Sequence, residues 1–352
     1  MRILFDGYWW VDGPPSGRNV LRALVAGWSR AFPGDALTLR VPKRQVSDVA
    51  DDLRRAHLDV DLDSYPACAK YHAAAVATIM ARSNRYDAVL TQNFCPPLST
   101  TARVTLLHDA LFVSNPEWFT RPELLYLSAI RPSLRRATTV LTTSDAEAVR
   151  VGALWPELRS RLATVGLSVP DDLVEAQPRR PAGLPDAQRF VLAVGRLNVR
   201  KNLARLVEAF ISIAHDDPER HLVIVGRKDG AYAPAEVPDE MQARIHFLGH
   251  VTDDELRWLY ENCGLFVSPS LGEGYGLPLI EANMFGAQVI ASDIPVFREL
   301  AIAAAYFDPN SVDEMAAAIR TGLGGAATPS ASRLTWGEVV QNIREAIEKG
   351  VR

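Results

Sequence analysis

The sequence Pro-Ser-Leu-Gly-Glu-Gly-Tyr-Gly-Leu-Pro-Leu-Ile-Glu occupies residues 269–281 and decides how the second half of the chain folds. An apolar run at residues 264–268 precedes it and predicts a short buried strand. Glycines at every second position from Gly272 to Gly276 then allow a tight turn, and Pro278 suits the first turn of a helix. The stretch therefore predicts a strand, a glycine loop and a helix start, as α/β domains have them.

This helix start also predicts a binding site. The free N–H groups and the positive end of a helix dipole attract anions. Glu273 lies in the loop, and Glu281 lies one turn into the predicted helix. A carboxylate on each side of an anion site can accept hydrogen bonds from the hydroxyls of a sugar. A tight turn with a solvated glutamate is the alternative explanation of this local pattern.

The bulk composition is that of a globular protein with two domains. At 352 residues the chain is long for a single hydrophobic core. Hydrophobic residues make up 48% and charged residues 23% of it, which excludes a disordered or membrane-embedded class. Cys68, Cys95 and Cys263 are scattered and predict neither a disulfide framework nor a zinc site. With no signal-peptide layout and no apolar span that fits a bilayer, we expect a cytoplasmic protein.

The formal net charge of −4 is unevenly distributed. Basic residues exceed acidic ones in residues 1–168, and the reverse holds for residues 169–352. A mildly basic first half favours an anionic acceptor or a peripheral contact with the inner face of a membrane. An ordinary mix of solvated charges explains it equally well, and we expect no nucleic-acid partner.

The first half alternates β-rich apolar runs with helical patterns, which predicts a parallel sheet with helices on both faces. The runs lie at residues 3–5, 36–41, 86–91, 104–107 and 140–143. The first strand is followed by a loop at residues 8–18, which contains Gly13 and Gly17, and then by a helix at residues 19–32. The glycines of this loop do not match G-x-G-x-x-G, so we do not expect a nicotinamide-binding domain.

Two groups of residues in the first half directly follow predicted strands. Tyr8, Trp9 and Trp10 come after the first strand, and His108 and Asp109 come after a later one. Ligands of α/β domains bind outside the carboxyl ends of the strands. The aromatic residues are therefore candidates for stacking on a sugar, with core packing as the alternative. The His-Asp pair is a candidate for the active site.

Residues 59–63, Asp-Val-Asp-Leu-Asp, contain an Asp-x-Asp pattern of the kind that holds a divalent metal in another class of sugar-transferring enzymes. The acidic residues alternate with apolar ones at period two, as in a half-exposed strand. No glycine follows at the position that a calcium loop needs. We interpret the pattern as the solvated face of a strand, and we predict no metal site.

The second half repeats the strand–helix alternation after a proline-rich boundary at residues 170–185, which predicts a second doubly wound domain. Its strands are predicted at residues 190–195, 221–226, 245–249, 264–268, 288–293 and 303–307. Arg196 and Lys201 follow the first of these strands, beside the helix that Asn202 opens. Cations next to free backbone N–H groups favour phosphate. An amphipathic helix at residues 336–349 ends the pattern.

These motifs together resemble the retaining family 4 glycosyltransferases, and the resemblance covers nearly all of the second domain. It rests on Gly195-Arg-x4-Lys201-Asn202, Val225-Gly226, Phe247-Leu-Gly249 and the glycine loop from Glu273 to Glu281. The resemblance implies the α/β GT-B fold, in which two doubly wound Rossmann-like domains face each other across a cleft. It also implies that the C-terminal helix crosses back to the first domain. The domains are then residues 1–168 and 189–332, with a linker at 169–188 and the returning helix at 333–352.

The resemblance implies a role for individual residues of this chain. Arg196 and Lys201 would hold the diphosphate of a nucleotide sugar, Glu273 would contact the transferred sugar, and Glu281 would take the ribose hydroxyls. His108 would reach the sugar from the first domain. The implied catalytic residues are Glu273, His108, Arg196 and Lys201. The implied donor-binding residues are Gly17, Gly195, Arg196, Lys201, Gly249, His250, Glu273, Gly274, Tyr275, Gly276, Leu277 and Glu281.

The first loop departs from the family pattern, and the resemblance does not identify the acceptor. The first loop has Pro14-Pro15-Ser16 where the family has glycines, so the contact of Gly17 with the diphosphate is the weakest of the set. The acceptor would be a saccharide, a lipid-linked saccharide or a small molecule. The residues expected to face it are Tyr8, Trp9, Trp10, Asp109 and Trp118. Neither metal nor cofactor is expected, since two fixed cations can stabilise the leaving diphosphate.

Other functions are compatible with the same fold. A sugar-nucleotide epimerase would offer extra acid and base groups around the sugar, and a phosphorylase would need a lysine committed to pyridoxal phosphate. A non-catalytic nucleotide-sugar sensor would keep the pocket without turnover. The joint presence of Arg196, Lys201, Glu273 and Glu281 favours the transferase, with GDP-mannose and UDP-hexoses both compatible as donors.

Overall fold

The computed structural model describes residues 1–66, 72–81, 85–97, 101–184, 190–228, 236–323 and 334–351. The chain divides into two compact units. The first contains Met1–Ser114, Leu124–Pro170 and Leu334–Arg352, and the second contains Asn115–Glu123 and Asp171–Arg333. The predicted boundaries between residues 188 and 189 and between residues 332 and 333, and Cys68, lie outside the described residues.

Each unit is built on one parallel sheet, as the sequence predicted. In the described part of the first unit, seven strands lie in the order β3-β2-β1-β4-β5-β6-β7. They are β1 (Arg2–Asp6), β2 (Ala36–Pro42), β3 (Asp61–Tyr65), β4 (Ala88–Gln92), β5 (Ala102–Leu107), β6 (Thr139–Thr142) and β7 (Leu162–Thr164). In the described part of the second unit, six strands lie in the order β10-β9-β8-β11-β12-β13. They are β8 (Phe190–Val194), β9 (His221–Val225), β10 (Ile245–Gly249), β11 (Leu265–Ser268), β12 (Val289–Ser292) and β13 (Ala305–Phe307).

Helices connect these strands and cover the sheets. In chain order they are α1 (Trp9–Asp12), α2 (Pro15–Ala31), α3 (Val46–Arg55), α4 (His72–Ala77), α5 (Leu111–Ser114), α6 (Arg121–Leu127), α7 (Ile130–Leu134), α8 (Asp145–Leu154), α9 (Asp171–Glu175), α10 (Leu203–Ser212), α11 (Asp253–Asn262), α12 (Leu277–Met284), α13 (Pro295–Leu300), α14 (Val312–Gly322) and α15 (Trp336–Val351). Short 3-10 helices lie at Lys43–Gln45, Thr78–Ala81, Pro116–Trp118, Pro156–Arg161, Val199–Lys201, Ala214–Asp216 and Asp239–Met241.

The central strands read as continuous apolar runs because helices bury both of their faces. Ile3, Leu4 and Phe5 of β1 are fully buried. In the second unit, α10 packs Leu206 and Phe210 into the core beside the sheet. Burial of such side chains stabilises a domain by roughly 1.5–3 kcal/mol each.

In each sheet, successive strands are added first toward one edge and then toward the other. This change lies between β1 and β4 in the first sheet and between β8 and β11 in the second. In open parallel sheets the ligand crevice lies outside the carboxyl ends of the strands at this switch point. The segments that follow β8 and β11 begin at Gly195 and Pro269. The sheet order therefore brings the two motifs of the second half to one place.

Two local predictions for the first unit are wrong. The region 8–18 is not a loop, because α1 and the start of α2 occupy most of it. Pro15 is the first residue of α2, where its missing N–H and fixed φ are tolerated. The acidic face of β3 is not fully solvated, since Asp63 forms an ion pair with the buried guanidinium of Arg40.

The C-terminal helix packs on the first unit, as predicted. The indole of Trp336 donates to the carbonyl of Val169 at 2.9 Å. Arg344 of α15 forms an ion pair with Asp35 at 2.9 Å. Gly27 of α2 gives α15 room, since a Cβ there would lie 3.0 Å from the Cβ atom of Trp336.

Candidate active site

A buried ion pair joins the two motifs of the second unit. The Nζ atom of Lys201 lies 2.5 Å from the Oε1 atom of Glu273, and the side chain of Glu273 is nearly inaccessible to solvent. Ser270 donates its hydroxyl to the same carboxylate oxygen at 2.7 Å. The guanidinium of Arg200 lies 3.8 Å from the other oxygen. Glu273 is thus held by two cations and one hydroxyl.

The backbone around this pair is fixed by asparagine side chains. Asn198 caps the turn before Lys201 by accepting its backbone N–H. Asn202 adopts a left-handed conformation with φ of 55°. Its side-chain amide donates to the carbonyls of Pro269 and Pro309 at 3.1 and 2.7 Å. The segment after β8 is therefore fastened directly to the segment after β11.

The charges of the pair determine its protonation. Burial by itself would raise the pKa of Glu273, but the cations of Lys201 and Arg200 and the hydrogen bonds outweigh burial and lower that pKa to about 2. Burial lowers the pKa of Lys201, and Glu273 opposes this effect. The short contact between the two groups therefore favours the ionised form of Glu273.

The second glutamate of the motif has a different environment. Glu281 lies in α12, and its Oε2 atom accepts the hydroxyl of the buried Tyr260 at 2.8 Å. Burial raises the pKa of Glu281 to about 7, although the hydrogen bond from Tyr260 and the charge of Lys201 oppose the rise. The pKa values of two glutamates eight positions apart are thus shifted in opposite directions. At neutral pH one is fixed as an anion, and the other is divided between its two protonation states.

Glycines allow the close backbone approaches of this site. Gly276 precedes α12 with φ of 108°, and a Cβ there would lie 2.7 Å from the ring of Phe297. Gly226 lies so close to the carbonyl of Gly195 that a Cβ at Gly226 would be 1.8 Å from the carbonyl oxygen. The N–H of Gly226 donates to the carbonyl of Gly249 at 2.8 Å. Glycine is required where these three chain segments meet.

The remaining predicted donor residues of the second unit lie in the chain segments that follow β8, β10 and β11. Arg196 is half-buried next to Gly195, and its charge contributes to lowering the pKa of Lys201. His250 is exposed and follows Gly249 at the end of β10. Gly274 is buried, and Tyr275 and Leu277 are half-buried, between Glu273 and the first turn of α12.

The predicted residues of the first unit form a separate cluster at the ends of β1, β4 and β5. His108 is half-buried, and its Nε2 atom lies 2.6 Å from the Oε1 atom of Gln92. The ring of Trp9 packs 5.6 Å from the ring of His108. Gly17, in the first turn of α2, contacts the same indole, since a Cβ at Gly17 would lie 2.4 Å from it. Gly17, Trp9 and His108 are therefore brought together.

The other candidate acceptor residues differ in how they are placed. Tyr8 is half-buried and stacks on the ring of His72 with 5.0 Å between centroids. Trp10 is buried, and its indole N–H donates to Asp52 at 3.3 Å. Packing is therefore the observed role of Trp10. Asp109 accepts the N–H of Leu111 at 3.2 Å, and Trp118 is half-buried in the stretch Asn115–Glu123 of the second unit.

Several polar residues of these clusters were not among the predicted site residues. Arg200 and Ser270, which hold Glu273, lie one and three positions from residues that were. Gln92 is the last residue of a strand, so its position carries the same signal as that of His108. Glu147 is buried, accepts the N–H of Ala110 at 2.7 Å, and has its pKa raised by burial to about 7. No local pattern in the sequence marks Glu147.

Two absences hold for the described ranges of the chain. No group of three or more His, Cys, Asp or Glu side chains among them could hold a metal ion. None of the helices described there is long and apolar enough to cross a membrane.

The architecture is that of the GT-B glycosyltransferases. Sucrose-phosphate synthase of Thermosynechococcus elongatus superimposes with a TM-score of 0.66 over 99% of this chain and 94% of that chain, at 18% identity. WaaG, a glycosyltransferase involved in lipopolysaccharide biosynthesis, superimposes with a TM-score of 0.62 over 98% of this chain and 95% of that chain, at 16% identity. At this identity the likeness establishes the fold alone.

Sequence comparison identifies the family. The family model described as "Glycosyl transferases group 1" matches residues 175–331, nearly the whole second unit. The chain is 30% identical to the O-antigen chain mannosyltransferase B of Escherichia coli over 241 residues, 64% of this chain and 62% of the relative. It is 27% identical to the serotype-specific mannosyltransferase WbdA of Escherichia coli over 71% of this chain and 34% of the relative. The chain thus matches less than two thirds of the length of these relatives. Residues 175–331 thus match the group 1 glycosyltransferases, which supports the resemblance of the second unit to the family 4 type.

Proposed function

We propose that this protein is a retaining glycosyltransferase that moves a mannosyl group from a nucleoside-diphosphate mannose to a saccharide acceptor. The observation that carries the proposal is the buried Lys201–Glu273 pair at the switch point of the second sheet, next to the start of α12. Mannose is the sugar in the names of the relatives in Escherichia coli. The saccharide acceptor follows from the same names, which refer to O-antigen chains and serotype.

The cations of the site suit the departure of a nucleoside diphosphate. Charge develops on the diphosphate as the bond to the sugar breaks, and fixed positive groups stabilise that charge. An ammonium has three N–H donors, so Lys201 can donate to a phosphate oxygen while it keeps Glu273. Arg196 supplies a second cation at the end of β8. The positive end of the α12 dipole adds to both.

The two glutamates suit the two hydroxyl-rich parts of the donor. Glu273 stays ionised and is held in place by Lys201, Arg200 and Ser270, so it can orient hydroxyls of the transferred sugar. Glu281 has a hydrogen bond from Tyr260 on one oxygen, and its carboxyl group can take the ribose hydroxyls.

The same contacts support a reaction path without a covalent intermediate. A retaining enzyme that works by double displacement needs a carboxylate nucleophile. Glu273 is bound to two cations and a hydroxyl, and its pKa of about 2 makes it a weak nucleophile. We therefore propose that the acceptor attacks on the face from which the diphosphate leaves, through an oxocarbenium-like state. Neither a metal nor a cofactor takes part in this proposal.

Two measurements test the proposal. Ligands that bind the folded state raise the apparent melting temperature by mass action, so a panel of nucleotides and nucleotide sugars identifies base and sugar. We expect GDP-mannose or another mannosyl nucleotide to give the largest shift. NMR of the product with a mannosyl acceptor should then show the same anomeric configuration as the donor. Absence of any nucleotide-dependent shift, or an inverted product, would refute it.

A further inference from the structure

We infer that Gln92 is a positioning residue that fixes the ring of His108 in one tautomer and ties it to the backbone of Gly17. Its importance for catalysis rests on the proposed function, whereas the tautomer itself does not. Gln92 is the last residue of β4, at the switch point of the first sheet, and is 2% exposed.

The side chain of Gln92 connects two otherwise separate segments. Its Nε2 atom lies 3.3 Å from the carbonyl oxygen of Gly17, in the first turn of α2. Its Oε1 atom lies 2.6 Å from the Nε2 atom of His108, just after β5. The side chain of Gln92 is buried, so losing either contact would leave one of its polar atoms unsatisfied.

The direction of the first hydrogen bond determines the second. The carbonyl of Gly17 can only accept, so the amide nitrogen of Gln92 must face it and the amide oxygen must face His108. An amide oxygen also can only accept, and the Nε2 atom of His108 must therefore donate. In the neutral imidazole the proton then lies on Nε2, and Nδ1 is an acceptor. The tautomer of His108 follows from the position of a backbone carbonyl in α2.

The backbone of His108 is held as firmly as its ring. Its N–H donates to the side-chain oxygen of Asn93 at 3.3 Å, and its carbonyl accepts the hydroxyl of Thr143 at 3.4 Å. Asn93 has φ of 58°, a left-handed conformation that asparagine adopts more readily than most residues. The residue next to Gln92 thus also supports His108, through its backbone.

The chemical consequence concerns what His108 offers to a substrate. With Nε2–H committed to Gln92, the Nδ1 atom of the neutral ring is an acceptor, so a group that contacts it must be a donor, as a sugar hydroxyl can be. The other tautomer would present an N–H there instead. Gln92 therefore contributes to the choice of ligand group, and it makes Gly17 and His108 dependent on each other.

Nitrogen NMR of the full-length protein with 15N-labelled histidine tests the tautomer directly, without substrate. The resonances of His108 are assigned by their loss in His108→Gln. At a pH where the ring is neutral, we expect wild-type His108 to show the Nε2–H tautomer alone. Gln92→Met keeps the size of the side chain, removes both hydrogen bonds and should give a mixture of tautomers. Gln92→Glu keeps an acceptor for His108 and should retain the Nε2–H form.

Gln45→Met is the matched control, because Gln45 is another buried glutamine of the first unit, and its amide contacts Asp12. It should leave the tautomer of His108 unchanged. An Nδ1–H tautomer in the wild type would overturn the inference. So would an unchanged tautomer in Gln92→Met, or loss of the Nε2–H form in Gln92→Glu.

Measurements of kcat, together with the tautomers, distinguish a failure of this inference from a failure of the proposed function. Misplacing a group at the reacting centre costs about 10- to 100-fold in rate, and we expect that loss in kcat for Gln92→Met, with partial recovery in Gln92→Glu and a smaller change in the KM for the donor. If the wild type shows the Nε2–H tautomer but transfers no sugar, the proposed function fails and the tautomer assignment stands. If transfer is normal in Gln92→Met while its tautomers mix, the positioning role fails and the transferase assignment stands.

Discussion

Lys201 and Glu273 lie 72 positions apart in the chain, yet the Nζ atom of Lys201 is 2.5 Å from the Oε1 atom of Glu273. The two residues follow β8 and β11, which are neighbours only because the order of the sheet reverses between them. The sequence motifs predict that Lys201 contacts phosphate and that Glu273 contacts a sugar. In the structure they form one unit, so neither can be changed without altering the other.

Lys201→Ala should lower kcat by about 10²–10³-fold, because it removes a fixed positive charge from the site of the leaving diphosphate. It should also lower the free energy of unfolding by about 3–5 kcal/mol, since it removes the nearer of the two cations from the buried carboxylate of Glu273. Steady-state kinetics and urea unfolding measure the two effects.

The double variant Lys201→Ala/Glu273→Gln separates stability from catalysis. Replacing the carboxylate by a neutral amide removes the uncompensated charge, so much of the stability should return while kcat stays low. Arg320→Ala, which removes an exposed cation paired with Asp216, should change neither quantity. Near-normal turnover in a folded Lys201→Ala protein would contradict the role of this lysine.

Glu281→Gln should raise the free energy of unfolding relative to the wild type, and this gain should be larger at pH 8 than at pH 5. Burial raises the pKa of Glu281 from 4.5 to about 7 in the folded protein. Between these values the folded state keeps a proton that the unfolded state has lost, so the wild type loses stability as the pH rises and then levels off above pH 7. The linkage relation gives about 3 kcal/mol for this shift.

Urea unfolding of both proteins from pH 5 to pH 8 measures that difference. Glutamine cannot ionise but can still accept the hydroxyl of Tyr260. Glu147, which also has a pKa of about 7, is present in both proteins and cancels in the comparison. A stability difference that does not change with pH would show that Glu281 titrates at its ordinary value.

Gly276→Ala should destabilise the protein by about 1–3 kcal/mol more than Gly286→Ala. Both glycines have positive φ, at 108° and 83°. An alanine at either position is therefore destabilised by the left-handed backbone. A Cβ at Gly276 would also lie 2.7 Å from the ring of Phe297, whereas one at Gly286 would meet nothing within 4 Å. The extra overpacking should displace the start of α12.

The KM for the donor tests whether these two variants also differ in function. We expect it to rise in Gly276→Ala, because the start of α12 lies beside the predicted diphosphate site, and to stay constant in Gly286→Ala. Equal stability and equal KM in the two variants would mean that the contact with Phe297 does not hold the helix start.

A chelator should leave transfer activity unchanged. The cations that we assign to the diphosphate are side chains of Lys201 and Arg196, which EDTA cannot remove. Asp63 of the Asp-x-Asp pattern is already paired with Arg40. Activity assays with EDTA, and with Mg²⁺ added back, measure this. Complete loss of activity in EDTA with recovery in Mg²⁺ would require a metal site that the Asp-x-Asp pattern could supply.

Much of the fold could be predicted because the central strands are buried on both faces and therefore read as apolar runs. The start of α2 could not, because Gly17 suggested a loop. The glycine is needed there for packing, since the indole of Trp9 occupies the space of a Cβ. β7 was missed because Leu162–Thr164 is a short, half-exposed edge strand.

The candidate site could be predicted residue by residue but not as a set of contacts. Glu273 and Lys201 were recognisable from their motifs, whereas their ion pair depends on which strands are neighbours. The difference between the pKa values of Glu273 and Glu281 depends on burial and on nearby cations, and no local pattern encodes these. Gln92 acts through a carbonyl 75 positions away, which only the folded chain brings near.

The packing of α15 has a consequence for how the protein is made. Trp336, Val339, Val340, Ile343 and Ile347 of this helix are buried, and it packs against α2, β5 and β6. Residues 334–351 leave the ribosome only after the whole second unit has been synthesised. The unit that is translated first is therefore completed last, and until then the nascent chain exposes an apolar face that chaperones can bind.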